Sequence, residues 1–173
     1  MLPGSVEIGG PPRGYIARMT APSASAQTDI QATPEAVYAL VSDLPGLEKV
    51  AAEFERGRWL GGVTEARVGA RFRGINKHAW RRWTTTVTVT DAEPGRRFAF
   101  EVTYFGVPIA RWQYDFEPAG TGCLVRESTW DRRPAWFRPI GRLGTGVRDR
   151  ATANRRNIER TLRQLKAAAE VGA

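Results

Sequence analysis

Residues 146–170 read GVRDRATANRRNIERTLRQLKAAAE, and their spacing decides the architecture. Val147, Ala151, Asn154, Ile158, Leu162 and Leu165 recur at steps of three and four, which puts them on one stripe of an α-helix. Arg148, Arg150, Arg156, Arg160, Arg163 and Lys166 fall on the opposite face, and after Gly146 no Pro or Gly intervenes before Gly172. A long helix with one apolar stripe needs a second layer to lie against. The chain before it supplies a sheet.

Between Phe54 and Asp131 the apolar period is two, the period of a strand. Strands are predicted over Phe54–Leu60, Ala70–Ala79 and Trp83–Ala92, the last with Thr85, Val87 and Val89 alternating against Thr84, Thr86, Thr88 and Thr90. Glu93-Pro94-Gly95-Arg96 is a tight turn, and Phe98, Phe100, Val102 and Tyr104 share the next inner face. Gly106-Val107-Pro108 turns again, Trp112, Tyr114 and Phe116 follow, and residues 118–122 turn into Val125, Glu127 and Thr129. Turns this short join antiparallel neighbours. Upstream, Ala24–Ala32 reads as a first strand with Ala26, Thr28 and Ile30 on one side. Thr33-Pro34-Glu35-Ala36 opens a helix with a capping Thr and a Pro at its first position. Leu44, Leu47 and Val50 suggest a second short helix. The order is strand, two short helices, six antiparallel strands and a long closing helix: an α+β fold whose aromatic inner sheet face encloses a pocket.

Residues 1–24 are rich in Gly, Pro and small side chains without periodicity and read as a disordered leader to a domain spanning 25–170. Met19 offers an alternative start, and no secretory signal precedes it. One cysteine, Cys123, permits no internal disulfide and suits a cytoplasmic setting; with a single histidine it argues against a His/Cys metal site. No glycine loop calls for a nucleotide or flavin, so no cofactor is expected. The net charge of +8 comes from arginines spread over the whole chain rather than gathered into one run, so no nucleic-acid partner is expected. Arg132–Leu143 mixes Trp136, Phe137 and Ile140 with arginines. It reads as a connector capping the core, or as a lid or a patch touching anionic membrane, and its two prolines argue against a regular amphipathic membrane helix. Oligomeric state has no signature in the sequence.

Thr33-Pro34-Glu35-Ala36-Val37-Tyr38-Ala39-Leu40-Val41-Ser42-Asp43 resembles the opening of START-like, Bet v 1-like (SRPBCC) proteins, and within them the bacterial polyketide cyclase/dehydrase group. Val68-Gly69-Ala70-Arg71-Phe72-Arg73-Gly74, Glu93-Pro94-Gly95-Arg96-Arg97-Phe98-Ala99-Phe100 and Trp112-Gln113-Tyr114-Asp115-Phe116-Glu117-Pro118 are similar to that group's strand and hairpin motifs. The resemblance covers residues 25–170. It implies a helix-grip fold with a deep cavity between a curved sheet and the last helix. It also implies a hydrophobic or amphipathic small-molecule ligand, such as a lipid or polyketide, with cyclisation, aromatisation or dehydration in some members. The group has no invariant catalytic residues to carry over.

Alternation then nominates the polar groups of the cavity. Phe72, Gly74, Asn76 and His78 share one side of their strand, and Val125, Glu127, Thr129 and Asp131 one side of theirs; Asn154 interrupts the helix stripe. Asn76, Glu127 and Asn154, ringed by Trp83, Tyr104, Trp112 and Tyr114, form the candidate constellation. Glu127 reads either as a general acid or base with a raised pKa, or as a structural carboxylate held by Arg71 or Arg155. Asn76 and Asn154 would orient a ligand oxygen or bond each other; His78 would be a base or a solvated side chain near a turn. The first functional reading is binding of a hydrophobic small molecule. A cyclase/dehydrase-type enzyme using Glu127 or His78 is the alternative, and an interaction module acting through the basic surface the third.

Overall fold

The computed structural model describes residues 21–49, 53–147 and 149–171. Its strands are β1 (Ala24–Ile30), β2 (Phe54–Trp59), β3 (Arg71–His78), β4 (Arg81–Glu93), β5 (Arg97–Tyr104), β6 (Val107–Ala119) and β7 (Gly122–Asp131). The helices are α1 (Pro34–Ser42), a 3-10 turn at Gly46–Lys49, α2 (Phe137–Thr145) and α3 (Arg150–Val171). All seven strands form one antiparallel sheet in the order β1-β7-β6-β5-β4-β3-β2. Strands β2 to β7 run as a meander, and β1 closes the far edge by pairing with β7, Ala24 opposite Thr129 and Ile30 opposite Cys123. The arrangement is the α+β helix-grip fold.

The sheet curves because its ladders are interrupted. Register shifts fall between Phe54 and Arg56, between Val89 and Asp91, and between Val102 and Thr103. Each inserts a residue that bends its strand and adds twist. Phe105 and Gly106, both at positive φ, make the tight β5–β6 turn, one residue earlier than the sequence reading placed it. On β2, Gly57 lets the backbone approach the Phe72 ring and the Arg73 carbonyl so closely that a Cβ would clash with both.

Helix α3 lies on the concave face with Asn154, Ile158, Thr161, Leu162, Leu165 and Ala169 buried. Ile158, Leu162 and Leu165 are nearly solvent-free, each worth about 1.5–3 kcal/mol of transfer free energy. Its far end is tied to β1: Lys166 Nζ donates to the Asp29 carbonyl at 2.6 Å, and the Gln31 amide donates to Glu170 Oε1 at 2.9 Å. Thr33 caps α1 as its sequence predicts, accepting from the Ala36 amide at 3.2 Å, with Pro34 in the first turn. Tyr38 on α1 meets Phe98 and Phe116 edge-on at 6.0 and 5.9 Å, so this end of the concave face is solid core.

Four readings need correction or qualification. The connector 132–143 contains a regular helix, α2; Pro139 is its third residue, where the missing amide has no partner to lose. Ala151 is exposed although it shares the stripe's face, because burial along α3 begins only at Asn154, one turn into the helix. β1 ends at Ile30, since the chain must turn before the Thr33 cap, and it begins at Ala24, the last position assigned to the leader. The rest of that leader through residue 20, with Val50 and Arg148, lies outside the described residues. Among the described residues no helix is long and apolar enough to cross a membrane.

Candidate functional site

A cavity of about 280 Å³ opens between the sheet and the first half of α3, at the end opposite α1. Beyond the Tyr38–Phe98–Phe116 cluster, α3 offers the gap only polar side chains, Arg150, Asn154, Asn157 and Thr161. The sheet wall carries Phe72, Val87, Phe100, Val102 and Trp112; α2 covers the opening with Phe137, Ile140, Gly141 and Gly144. Tyr104 also lines the cavity and packs on Phe137, ring centres 6.1 Å apart.

The polar groups gather at two places. In the wall, Tyr114 and Glu127 face each other across the β6–β7 ladder, both on the concave side. The Tyr114 hydroxyl donates to Glu127 Oε1 at 2.8 Å. Glu127 is 2% exposed, and its Oε2 has no hydrogen-bond partner among the described residues. Burial without a counter-charge pushes the Glu127 carboxyl up to about 8, against the pull of the Tyr114 hydrogen bond. The same burial, with Glu127 beside it, holds the Tyr114 phenol well above its ordinary value. Glu127 is therefore a neutral acid at pH 7, with a proton to donate. The structural alternative finds no arginine among the described residues: Arg71 and Arg155 are both exposed, since strand and helix alternation carries them to outer faces.

At the mouth, the Arg150 guanidinium forks onto Glu53, with Nη2–Oε2 at 2.9 Å and Nη1–Oε1 at 3.2 Å, and Asn157 Nδ2 adds a third bond to Glu53 at 3.2 Å. Asp131 is gripped likewise by Arg133 at 2.8 and 2.9 Å, which keeps its carboxyl below the usual range against the opposing effect of burial. These groups line the cavity too.

The structure brings Asn76, Trp83, Tyr104, Trp112, Tyr114, Glu127 and Asn154 to the lining of one cavity, Asn154 from α3 and the others from the sheet. Asn76 does not bond Asn154; its Nδ2 donates to Thr85 Oγ1 at 2.9 Å, across the β3–β4 hairpin. His78 departs from the set. It is the last residue of β3, before Ala79 turns at positive φ, so alternation carries it past the covered part of the sheet. Its side chain is 46% exposed, does not line the cavity, and lies 3.8 Å from Glu53. Sequence reasoning missed Glu53, Arg150 and Asn157. Counting back from Ile158 and Asn154 in steps of four reaches Arg150, and that signal was overridden by its charge.

Residues 21–170 match the family described as polyketide cyclase / dehydrase and lipid transport. No curated protein matches the sequence. Among solved structures, the Polyketide_cyc-like protein Cgl2372 of Corynebacterium glutamicum is 29% identical, with a TM-score of 0.56 over 86% of this chain and 91% of that one. DR_A0006 of Deinococcus radiodurans is 18% identical, with a TM-score of 0.62 over 87% of this chain and 98% of that one. The di-domain ARO/CYC protein StfQ, from the steffimycin biosynthetic pathway, is 17% identical, with a TM-score of 0.66 over 86% of this chain and 52% of that one. The family match runs from before β1 almost to the end of α3, through the whole sheet and every cavity-lining residue, and so the chain belongs to the polyketide cyclase / dehydrase and lipid transport family.

Proposed function

We propose that this protein binds a hydrophobic or amphipathic small molecule, lipid- or polyketide-like, in the cavity between the sheet and α3. The carrying observation is a carboxyl group in an apolar wall whose burial favours the neutral acid: Glu127, bonded among the described residues only to Tyr114 and facing a void of about 280 Å³. Such a group repels anions less than a carboxylate does and can donate to a ligand carbonyl or hydroxyl oxygen. Asn76 and Asn154 offer further donors and acceptors, while Trp83, Tyr104 and Trp112 would flank a flat or branched apolar body. Family membership supports a ligand of this class.

A second reading, a cyclase/dehydrase-type enzyme, is favoured by one observation. Glu127 titrates near 8, and an acid poised close to working pH can protonate a carbonyl oxygen and later take the proton back. The likeness to StfQ points the same way only at the level of fold. His78, half-exposed and outside the cavity lining, has no part in this reading.

Titration with 2-acetylnaphthalene, an aromatic ketone, followed by tryptophan quenching, tests the binding reading. Val102→Trp, which fills the cavity, should abolish saturable quenching; unchanged saturation would contradict it. Glu127→Gln separates the two readings. An amide still donates a hydrogen bond, so binding persists; it cannot deliver a proton, so any turnover is lost.

A further inference from the structure

Eight large apolar side chains are exposed among the described residues, and five of them lie at the cavity-mouth end: Trp80, Phe105, Trp136, Ile140 and Leu143. The meander explains part of this. The β3–β4 and β5–β6 turns and the exit of β7 share one end of the sheet, so Trp80 and Phe105 are the tips of its two hairpins. Helix α2 runs between those tips. Its first residue, Phe137, packs on Tyr104 beside Phe105, and Gly146, just past its last, lies against the Arg81 guanidinium beside Trp80. The inner side of α2 roofs the cavity through Phe137, Gly141 and Gly144, while Leu143 and the preceding Trp136 point outward, 79% and 61% exposed. The expectation that this connector's aromatics cap the core holds for Phe137 alone.

The charge around this rim leaves cations in excess, although Asp149 also stands there without an ion pair among the described residues, its carboxylate capping the first turn of α3 through Thr152. Glu53, Glu55 and Asp131 are each taken up by an arginine, namely Arg150, Arg82 and Arg133. Lys77, Arg81, Arg132 and Arg138 form no ion pair among the described residues, and Arg81 stacks over the Trp80 ring at 4.2 Å. Exposed aromatic and aliphatic tips interleaved with unpaired cations match the boundary of an anionic bilayer, where indoles sit at headgroup level and guanidinium groups meet phosphate.

We propose that the α2 end of the protein docks on an anionic membrane surface, inserting Trp80, Phe105, Trp136 and Leu143 and setting the cavity mouth against the bilayer. An apolar ligand could then pass between membrane and cavity without crossing water. The docking itself does not depend on what the cavity holds.

Flotation of the full chain with vesicles of phosphatidylglycerol and phosphatidylcholine in equal parts tests this, with pure phosphatidylcholine vesicles as comparison. Binding is expected only to the anionic vesicles, with a blue shift of tryptophan emission and release in high salt. Trp136→Glu combined with Leu143→Glu should lower vesicle affinity about tenfold or more, as should Arg132→Glu with Arg138→Glu. Val68→Glu, an exposed apolar site at the other end of the sheet, should leave binding unchanged. Circular dichroism melts check that each variant is folded. No flotation, equal flotation with neutral vesicles, or binding indifferent to the folded α2 variants would overturn the proposal. So would a dimer in sedimentation velocity that those variants dissociate, since a second copy would then occupy the patch.

Discussion

The Tyr114 hydroxyl and Glu127 Oε1 lie 2.8 Å apart between directly opposed positions of β6 and β7, and among the described residues no cation reaches the other carboxyl oxygen. An ion pair would have turned this site into a structural clamp. Without one, the fold holds a protonated acid in the wall of a ligand-sized void. The pair thus ties register, packing and chemistry together.

The first consequence is a stability profile. Unfolded, Glu127 ionises at its usual value near 4.5; folded, it keeps its proton until about 8. Between those values the native state binds more protons, so Glu127 makes stability fall as pH rises through the window, with no further change above it. Glu127→Gln removes this contribution. Urea unfolding from pH 4 to pH 9 should show the variant gaining on the parent by up to about 5 kcal/mol. Parallel profiles would show that Glu127 is ionised at neutral pH.

Tyr114→Phe should cost about 1–3 kcal/mol at pH 7, because it strips Glu127 of the one hydrogen bond it makes among the described residues. It should also push the Glu127 titration higher, since that bond is the only influence lowering it. The carboxyl stretch in infrared difference spectra, followed against pH, reads the shift directly.

The mouth clamp makes a different prediction. Glu53→Ala leaves the Arg150 fork and Asn157 without their shared acceptor. The expected cost is about 1–2 kcal/mol, and amide exchange should quicken in the first turns of α3 while its C-terminal half keeps its protection.

His78→Gln should change neither ligand affinity nor stability by more than about 0.5 kcal/mol, as befits a half-exposed side chain outside the cavity. A loss of ligand binding in this variant, measured by tryptophan quenching, would return it to the site.

Much of this was legible in the sequence, and what was not has physical causes. The Asn154–Ile158–Leu162–Leu165 stripe and the aromatic alternation of β5 and β6 are long periodic signals backed by burial, and they gave the α+β layering of a curved sheet on one long helix; the helix-grip fold came from the family resemblance. Alternation also carried Asn76, Tyr114 and Glu127 to the concave face. It failed at His78 because a strand's last residue can outrun the layer that covers it. It named arginine partners for Glu127 because pairing across a ladder, here with Tyr114, depends on a register the sequence does not print. Arg150 was assigned to solvent by its charge, although its spacing put it on the inner stripe. Helix α2 was hidden by Pro139, whose place in a first turn is harmless but whose presence reads as a break.

The most direct measurement is native mass spectrometry of the protein purified from its own host, with extraction and identification of anything bound. The account predicts a stoichiometric apolar molecule carrying a carbonyl or hydroxyl oxygen, lost when Val102→Trp fills the cavity. A protein that is empty in its host, and that still fails to take up such a molecule when offered one, would contradict it.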